Sequence, residues 1–380
     1  MILNTELEYK GNLFPSQIVS YEKHLNVLSF TTENGAVLQV TVRRDSILRF
    51  RFTTTGIFEN DFSYAITKYA SRGYNLLEVT ENDKNYIITT TKLICHISKL
   101  DLRTSIYDAI DKSLICEDEL GFHWEESYEY GGNVVKMSKT AQPGESYYGL
   151  GDKPVDNNLK GKRFENWVTD SYAYGRNTDP IYKTIPFYTA LHNKKSYGIF
   201  FDNTFRSFFD FCHERRNITS FWAQGGEMNY YFIYGPEMSD VVVNYTDLTG
   251  KPHQLPALWT LGYHQCKWSY YPESNVKEIT KKFRDLKIPC DAIYLDIDYM
   301  EGFRCFTWSE EYFPNPKRMV KELADDGFKT IVIIDPGIKI DMDYSVFREG
   351  LEKDYFCKRA DGPYMKGKVW PGECYFPDFT

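Results

Sequence analysis

Two carboxylates follow a short apolar run in the second half of the sequence. Asp296 and Asp298 come directly after Ala292–Leu295 and are separated by one residue. If the strand predicted over this run continues through them, both side chains lie on one side of the sheet, because alternate residues of a strand face the same way. Like charges side by side are unfavourable unless a cation or hydroxyl groups meet them. The spacing therefore predicts that something binds to this pair.

Two other predicted strands also end in polar or aromatic residues. Asp335 follows the apolar residues 331–334, and a predicted strand over residues 258–265 leads into His264, Gln265, Lys267 and Trp268. The carboxyl ends of the strands in a βα array lie on one face, which is the active-site face of a barrel. We therefore predict a pocket for a ligand rich in hydroxyl groups. The alternative is that each Asp only caps the loop after it, and Asp335, directly before Pro336, also fits a turn.

Helices are predicted between these strands. The first, over residues 274–288, has an apolar face formed by Val276, Ile279, Phe283 and Leu286. The second, over residues 315–327, has Asn315 as its N-cap, Pro316 at its first position and Gly327 at its end. Such alternation predicts a parallel sheet, for which an open doubly wound sheet and a (β/α)8 barrel both fit. No glycine-rich phosphate loop follows these strands, which counts against nucleotide binding.

The first part of the chain is predicted to be antiparallel β-structure. Residues 36–42 and 47–52 alternate between two faces, so each is expected to bury one face, with Arg49 and Arg51 on the outer one. Asn34-Gly35 predicts a hairpin turn before the first of them. A change of pattern near Thr249–Trp259, which contains two prolines and a glycine, predicts a domain boundary.

Composition argues against several partners. The formal net charge of −8 disfavours nucleic acid and anionic membranes, and no apolar run approaches the length of a membrane span. The N-terminus lacks the pattern of a signal peptide, so we expect a cytoplasmic protein. The eight cysteines form no CxxC pair and are expected to be buried, reduced thiols, Cys95 and Cys266 among them. The seven histidines show no metal-ligand spacing, so no metal site and no cofactor are predicted, and homo-oligomer formation is left open.

Several segments carry a resemblance to one family. In chain order they are ESYYGLGDKP, IPFYTALHNKKSYGIFFDNT, YYFIYGPEMSDVVVNYTDLTGKP, LPALWTLGYHQCKWSY, DAIYLDIDYM, GFKTIVIIDPGI and KGKVWPGECYFPDF. From about Tyr147 onward the chain resembles glycoside hydrolase family 31, a family of α-glucosidases and α-xylosidases. The resemblance implies an N-terminal antiparallel β-sandwich domain over residues 1–253. It implies the first part of a (β/α)8 TIM barrel, incomplete in this chain, over residues 254–380.

The resemblance also implies a retaining mechanism, in which one Asp attacks the anomeric carbon and a second acts as acid and then base. The family's nucleophile lies in a Trp-x-Asp-Met-Asn-Glu-like segment on the fourth barrel strand, and this chain contains no such segment. Eight βα units need about 250 residues, and only about half that number follows Leu255. We therefore expect the chain to be the N-terminal portion of a longer enzyme. We assign it no catalytic residue, and we expect residues 1–380 alone to be inactive.

Six residues are implied by the resemblance to bind substrate. Asp296 would bind hydroxyl groups at the non-reducing end of the sugar in subsite −1. Asp298 would support it, although its spacing also allows direct contact with the sugar. Apolar walls would be formed by Ile297, Ile334 and Trp370. Asp170, on a loop of the sandwich, would reach over the barrel mouth toward subsite +1, and Trp268 would lie beside that subsite.

The function implied is a retaining exo-α-glucosidase that acts on short oligosaccharides. Many members that prefer α-1,4 bonds have Tyr where this chain has Trp268. An indole is larger than a phenol and should narrow the path of an α-1,4-linked sugar, whereas an α-1,6 link has one more rotatable bond. We therefore predict a preference for α-1,6 over α-1,4 linkages. An α-xylosidase of the same family and a non-catalytic carbohydrate-binding module remain as alternatives.

Overall fold

The computed structural model describes residues 12–67, 78–127 and 132–379. The chain divides into two compact units, Met1–Lys251 and Pro252–Thr380. Each unit has an apolar core of its own. The domain boundary after residue 253 stays a prediction from the sequence.

The described residues of the first unit form two antiparallel sheets and one α-helix. Its strands are β1 (Ile18–His24), β2 (Val27–Thr32), β3 (Val37–Arg44), β4 (Ile47–Thr53), β5 (Glu78–Glu81), β6 (Asn85–Thr89), β7 (Leu93–Ser98), β8 (Thr104–Asp108), β9 (Leu114–Glu126), β10 (Asn133–Thr140), β11 (Ser146–Gly151), β12 (Lys162–Asn166), β13 (Thr184–His192), β14 (Lys195–Phe201), β15 (Ser207–Phe211), β16 (Ile218–Ala223) and β17 (Met228–Gly235). The eight-stranded sheet has the order β1-β2-β3-β4-β17-β14-β13-β11, and the nine-stranded sheet has the order β12-β15-β16-β10-β9-β8-β7-β6-β5. Helix α1 (Met238–Thr249) buries Val241 and Leu248 in a smaller apolar cluster of this unit.

Alternation of residue type explains how the sandwich buries its core. Leu38, Val40 and Val42 of β3 are completely buried, which confirms the predicted inner face of that strand. The predicted hairpin is also confirmed, since Asn34-Gly35 connects β2 to β3 and Gly35 has a φ of 84°. A positive φ is readily adopted by glycine because it has no Cβ.

The prediction for β4 was wrong on one face. Arg49 and Arg51, expected on an outer face, are 3% and 6% exposed. Arg49 donates two hydrogen bonds, of 2.9 and 2.7 Å, to Asp61, and Arg51 donates two, of 2.9 and 2.5 Å, to Glu227. A planar guanidinium that binds a carboxylate in this way can be buried, because its charge and its donors are satisfied together.

One ion pair lies inside the sandwich core. The Lys139 ammonium is 2.7 Å from Asp118, and the two side chains are only 2% and 0% exposed. The second oxygen of Asp118 accepts hydrogen bonds from the backbone and the hydroxyl of Thr104. Burial is the largest single effect and would by itself lower the pKa of Lys139, but the Asp118 carboxylate and other neighbouring groups together raise that pKa well above its usual value. Lys139 therefore depends on Asp118 to carry its charge in the core.

We expect Lys139→Met to destabilise the protein by about 3–5 kcal/mol, because the Asp118 carboxylate is left buried without a counter-charge. Thermal unfolding of the full-length protein measures the effect. The matched control is Lys183→Met, whose ion pair with Asp152 is 68% and 50% exposed and which should cost less than about 1 kcal/mol. A double variant, Lys139→Met with Asp118→Leu, should recover most of the loss. Equal melting temperatures for the Lys139 and Lys183 variants would contradict this account.

The second unit begins a parallel sheet with helices between its strands. Its strands are β18 (His264–Gln265), β19 (Ala292–Leu295), β20 (Lys329–Val332), β21 (Ile338–Lys339), β22 (Lys366–Val369) and β23 (Gly372–Tyr375). Its α-helices are α2 (Glu273–Asp285), α3 (Pro316–Asp325) and α4 (Ser345–Glu352), and its 3-10 helices span Leu258–Leu261, Ile297–Tyr299 and Glu301–Phe303. Strands β18, β19 and β20 pair in parallel in that order, and β21, β23 and β22 form an antiparallel sheet.

The parallel strands are shorter than predicted. The stretch 258–265 was predicted as one strand, but Leu258–Leu261 forms a 3-10 helix and only two residues pair with β19. Strand β19 ends at Leu295, so the prediction that Asp296 and Asp298 lie in one strand was wrong. Asp296 instead caps the 3-10 helix Ile297–Tyr299, in which Asp298 lies.

The two predicted helices are present. In α2, Val276 is fully buried, whereas Leu286, predicted on the same apolar face, follows the end of the helix and is 68% exposed. In α3, the Asn315 side chain accepts a hydrogen bond of 3.0 Å from the backbone of Arg318, which confirms the predicted N-cap. Capping thus fixes where α3 begins.

The cysteines are all free thiols, but they are not all buried. Cys95, Cys116, Cys290, Cys305 and Cys374 are buried, as predicted for the group. Cys266 is exposed, so the expectation of a buried thiol was wrong there. Strand β18 ends at Gln265, so Cys266 lies beyond the strand.

Candidate functional site

The Asp296 carboxylate lies directly after β19. The side chain is half-buried, and one of its oxygens accepts a hydrogen bond of 2.7 Å from the backbone N–H of Ile297. Within the described ranges, no other group donates a hydrogen bond to this carboxylate. A carboxylate that the protein satisfies on one oxygen keeps the other as a strong acceptor for a ligand hydroxyl group.

A thiol lies close enough to Asp296 to sense its charge. Partial desolvation of the thiol, and then the negative charge of Asp296, raise the pKa of Cys266 above its usual value. Cys266 follows β18 and Asp296 follows β19, and these two strands pair in parallel through Gln265 and Ile293. The carboxyl ends of the first two strands thus meet, as the sequence predicted.

The third strand end is tied to the second by hydrogen bonds. The backbone N–H of Ile333 donates to Leu295 at 3.0 Å, and the hydroxyl of Tyr299 donates to the carbonyl of Ile333 at 2.9 Å. The next residue, Ile334, is 47% exposed, whereas Ile297 is only 4% exposed and packs in the apolar core. Of the two aliphatic side chains among the three predicted apolar walls, Ile334 is therefore far more exposed than Ile297.

The backbone of Asp335 takes part in hydrogen bonds that hold the loops together. Its carbonyl accepts a hydrogen bond of 3.0 Å from the thiol of Cys305 and one of 2.7 Å from the backbone of Gly337. The hydroxyl of Tyr344 donates in turn to the carbonyl of Cys305 at 2.5 Å. This chain of bonds holds the segment after β20 against the loop after β19, and it favours the turn interpretation of Asp335.

Two exposed tryptophans and one carboxylate come together at the site. The indole N–H of Trp268 donates to Asp298 at 3.0 Å, and the rings of Trp268 and Trp370 stack with centroids 6.5 Å apart and an interplanar angle of 29°. Trp268 is 72% exposed and Trp370 is 63% exposed. Trp370 lies in the turn between β22 and β23. The structure therefore brings together three residues that lie far apart in sequence.

The polar residues of β18 serve the scaffold. In His264, Nε2 is 3.1 Å from the carbonyl of Trp259, so this nitrogen carries the proton, and in the neutral ring Nδ1 accepts from the Tyr294 hydroxyl at 3.3 Å. Gln265 accepts from the Tyr263 hydroxyl at 2.5 Å and donates to Tyr270 at 2.8 Å. These contacts fix the start of the parallel sheet.

Asp170 lies in the first unit, in the connection between β12 and β13. Its side chain is exposed. The Tyr182 hydroxyl donates to the carbonyl of Ser171 at 3.1 Å. Desolvation, and then the nearby Asp170 carboxylate, raise the pKa of the Tyr182 phenol above its usual value. The substrate-binding role of Asp170 stays a prediction.

Sequence reasoning missed a cleft of about 790 Å³ beside Asp298. Aromatic and acidic residues line it, among them Tyr271, Glu301, Trp308, Glu310 and Tyr312. The mixture of aromatic and acidic residues in FTWSEEYF, from Phe306 to Phe313, was the signal in the sequence that could have predicted this cleft.

No helix among the described residues has both the length and the apolarity needed to cross a membrane. Within the same ranges, no group of three or more His, Cys, Asp or Glu side chains is arranged to hold a metal ion.

Comparison with sequence families gives two matches in consecutive parts of the chain. The N-terminal galactose mutarotase-like domain of glycosyl hydrolase 31 matches residues 37–210, and the TIM-barrel domain of glycosyl hydrolases family 31 matches residues 253–380. The chain therefore belongs to glycoside hydrolase family 31. This confirms the predicted fold class, an antiparallel sandwich followed by the start of a TIM barrel.

Individual relatives agree with this assignment. Alpha-glucosidase 2 of Bacillus thermoamyloliquefaciens is 36% identical over 362 residues, which are 95% of this chain and 44% of the relative. An alpha-glucosidase of Saccharolobus solfataricus is 35% identical over 65% of this chain and 35% of the relative. Alpha-xylosidase 1 of Arabidopsis thaliana is 32% identical over 68% of this chain and 28% of the relative. The chain thus spans less than half the length of these relatives.

A solved structure extends the likeness to three dimensions. A GH31 dextranase from Flavobacterium johnsoniae, in a mutant form complexed with isomaltotriose, superposes with a TM-score of 0.87 at 32% sequence identity. The match covers 97% of this chain and 44% of that one. Both units of this chain therefore have counterparts in one family enzyme.

Proposed function

We propose that the protein carrying this chain is a retaining exo-α-glucosidase that removes terminal glucose from short oligosaccharides, with α-1,6 linkages preferred over α-1,4. The observation that carries the proposal is the Asp296 carboxylate at the end of β19, which is half-buried and has a single protein donor among the described residues. Such a carboxylate suits a sugar because it can accept hydrogen bonds from two neighbouring hydroxyl groups.

In this proposal the residues of the chain bind and orient the sugar. Asp296 holds hydroxyl groups at the non-reducing end, and Ile334 and Trp370, which are 47% and 63% exposed, supply apolar surface for its C–H faces. Ile297 contributes the small part of its side chain that is not in the core. The attacking and proton-donating carboxyl groups, about 5 Å apart in a retaining enzyme, are not assigned to residues of this chain. Asp296 therefore acts by binding and not by attack.

The linkage preference rests on Trp268. The ring is 72% exposed beside Trp370, so the leaving sugar can lie on an aromatic surface. The Flavobacterium structure is a complex with isomaltotriose, whose glucose units are joined by α-1,6 links, which supports the same preference.

An α-xylosidase is the second candidate, because a plant α-xylosidase is among the relatives at 32% identity. Xylose lacks the hydroxymethyl group of glucose, so the two activities differ in the space left around that group. A sugar-binding protein without turnover is a third candidate.

We also propose a cytoplasmic location and a role in carbohydrate metabolism. The cytoplasmic location is supported by the eight free cysteines.

We expect Asp296→Asn in the full-length protein to lower kcat/KM for p-nitrophenyl α-glucoside by about one to two orders of magnitude, since a hydrogen bond to a charged group contributes about 1.5–3 kcal/mol. Asn can still cap Ile297, so the melting temperature should not change. Asp325→Asn, at an exposed ion pair on α3, is the matched control.

Parallel assays with p-nitrophenyl α-xyloside separate glucosidase from xylosidase, and absence of turnover on both by the wild type favours the binding protein. An Asn variant with wild-type kcat/KM and a normal melting temperature would place Asp296 outside the sugar site.

We expect Trp268→Tyr to lower the ratio of kcat/KM for isomaltose to that for maltose. Apolar shape discriminates modestly, by about 1–3 kcal/mol, so both sugars should still be cleaved. Trp222→Tyr, in the sandwich, controls for the general effect of replacing an indole. An unchanged ratio, or a wild type that strongly favours maltose, would be incompatible with a role of Trp268 in linkage preference.

A further inference from the structure

The Trp268 ring has little packing to hold it in one orientation. It follows β18 and is 72% exposed, and its stacking partner Trp370 is itself 63% exposed. The two rings stack with centroids 6.5 Å apart. Such stacking restrains the tilt of the indole plane more than it restrains rotation of the ring within that plane. A second contact is therefore needed if the ring is to present one edge to a substrate.

Asp298 supplies that contact from a rigid base. Its carboxylate accepts the indole N–H of Trp268 at 3.0 Å. On either side of Asp298 in the 3-10 helix, Ile297 and Tyr299 are 4% and 3% exposed, and the Tyr299 hydroxyl is bonded to the carbonyl of Ile333. The backbone of Asp298 is thus held on both sides, so its carboxylate is a fixed acceptor for an exposed donor.

The hydrogen bond also selects one orientation of the ring. An indole has one N–H, and it donates only. Rotating the ring by half a turn would carry this donor away from Asp298, and within the described residues no other acceptor is bonded to it. The bond to an ionised acceptor is stronger than a bond between neutral groups, which makes it suited to hold an exposed side chain.

We propose that Asp298 is a positioning residue that fixes the Trp268 indole and thereby sets the discrimination between α-1,6- and α-1,4-linked substrates. The discrimination rests on the proposed function, whereas the positioning does not. Asp298 acts through Trp268 and contacts no reacting atom. The alternative is that the Asp298 charge binds substrate directly, for which the neighbouring cleft leaves room.

Two substitutions separate these roles in the full-length protein. Asp298→Asn keeps a carbonyl oxygen that can accept the indole N–H but removes the charge, and Asp298→Ala removes the acceptor. We expect the Asn variant to keep most of the wild-type ratio of kcat/KM for isomaltose to that for maltose. We expect the Ala variant to lower this ratio by about 2- to 10-fold, less than the full contribution of a hydrogen bond to a charged group, because the indole stays in place and only its orientation is released.

The control is to make the Asp298 substitutions in a Trp268→Phe background. Phenylalanine has no N–H, so Asp298→Ala should then leave the ratio unchanged. If Asp298 binds substrate directly, the Asn and Ala variants should raise KM for both sugars to a similar extent, and the effect should persist in the Phe background. Either of those results would overturn the proposal.

A spectroscopic measurement tests positioning without turnover. In protein labelled with 5-fluorotryptophan, the ¹⁹F resonance of Trp268 is assigned by its loss in Trp268→Phe. We expect one narrow resonance in the wild type and in Asp298→Asn, and a shifted, broadened or split resonance in Asp298→Ala. An unchanged resonance in the Ala variant would overturn the positioning role whatever the activity. An altered resonance in a protein that cleaves neither sugar would uphold the positioning role, while the proposed function and the linkage discrimination would both fail.

Discussion

The candidate site depends on where parallel pairing stops. Strand β19 ends at Leu295 and β20 ends at Val332, so the residues that follow leave the sheet at neighbouring points. At the first of these points the Asp296 side chain caps the next backbone N–H, which turns the chain into a 3-10 helix. Had β19 continued, Asp296 and Asp298 would face the same side as two unpaired charges. Because it stops, the Asp296 carboxylate has a single donor among the described residues, and Asp298 accepts a bond from an indole.

Trp268, Ile334 and Trp370, which are proposed to contact the sugar, are exposed, but the backbone around the strand ends is tightly connected. Tyr299 bonds to Ile333, and Arg304 donates to Asp341 at 3.1 and 2.6 Å. The Arg304 guanidinium accordingly lowers the pKa of Asp341 below its usual value. These contacts link the loop after β19 to the segment after β20, which carries Ile334. Rigid loops that present exposed aromatic and acidic side chains are what a sugar site requires, since ordering them on binding would otherwise cost free energy.

Much of the fold could be predicted from the sequence because its signals are local. Residue alternation identified the inner face of β3, and Asn315 with Pro316 identified the start of α3. The errors have physical causes that single segments do not reveal. Arg49 is buried because Asp61, twelve residues later, satisfies it. Leu286 is exposed because α2 ends before it.

In the candidate site, too, some features could be predicted from local sequence signals and others depend on the folded chain. The polar strand ends were visible as residues after apolar runs, and the family resemblance supplied roles for them. The bond between Trp268 and Asp298 could not be predicted, since it depends on the pairing of β18 with β19 and on the short helix after β19. The structural use of His264 likewise depends on Trp259 and Tyr294, which only the folded chain brings to it.

The central claim is that Asp296 binds the hydroxyl groups of a terminal sugar. The most direct test is a crystal structure of the full-length protein with a sulfur-linked analogue of isomaltose, which is not hydrolysed. We expect two hydroxyl groups of the terminal sugar within about 2.5–3.0 Å of the Asp296 carboxylate, and the second sugar against the Trp268 ring. A bound analogue that leaves Asp296 bonded only to Ile297 and water would contradict the account.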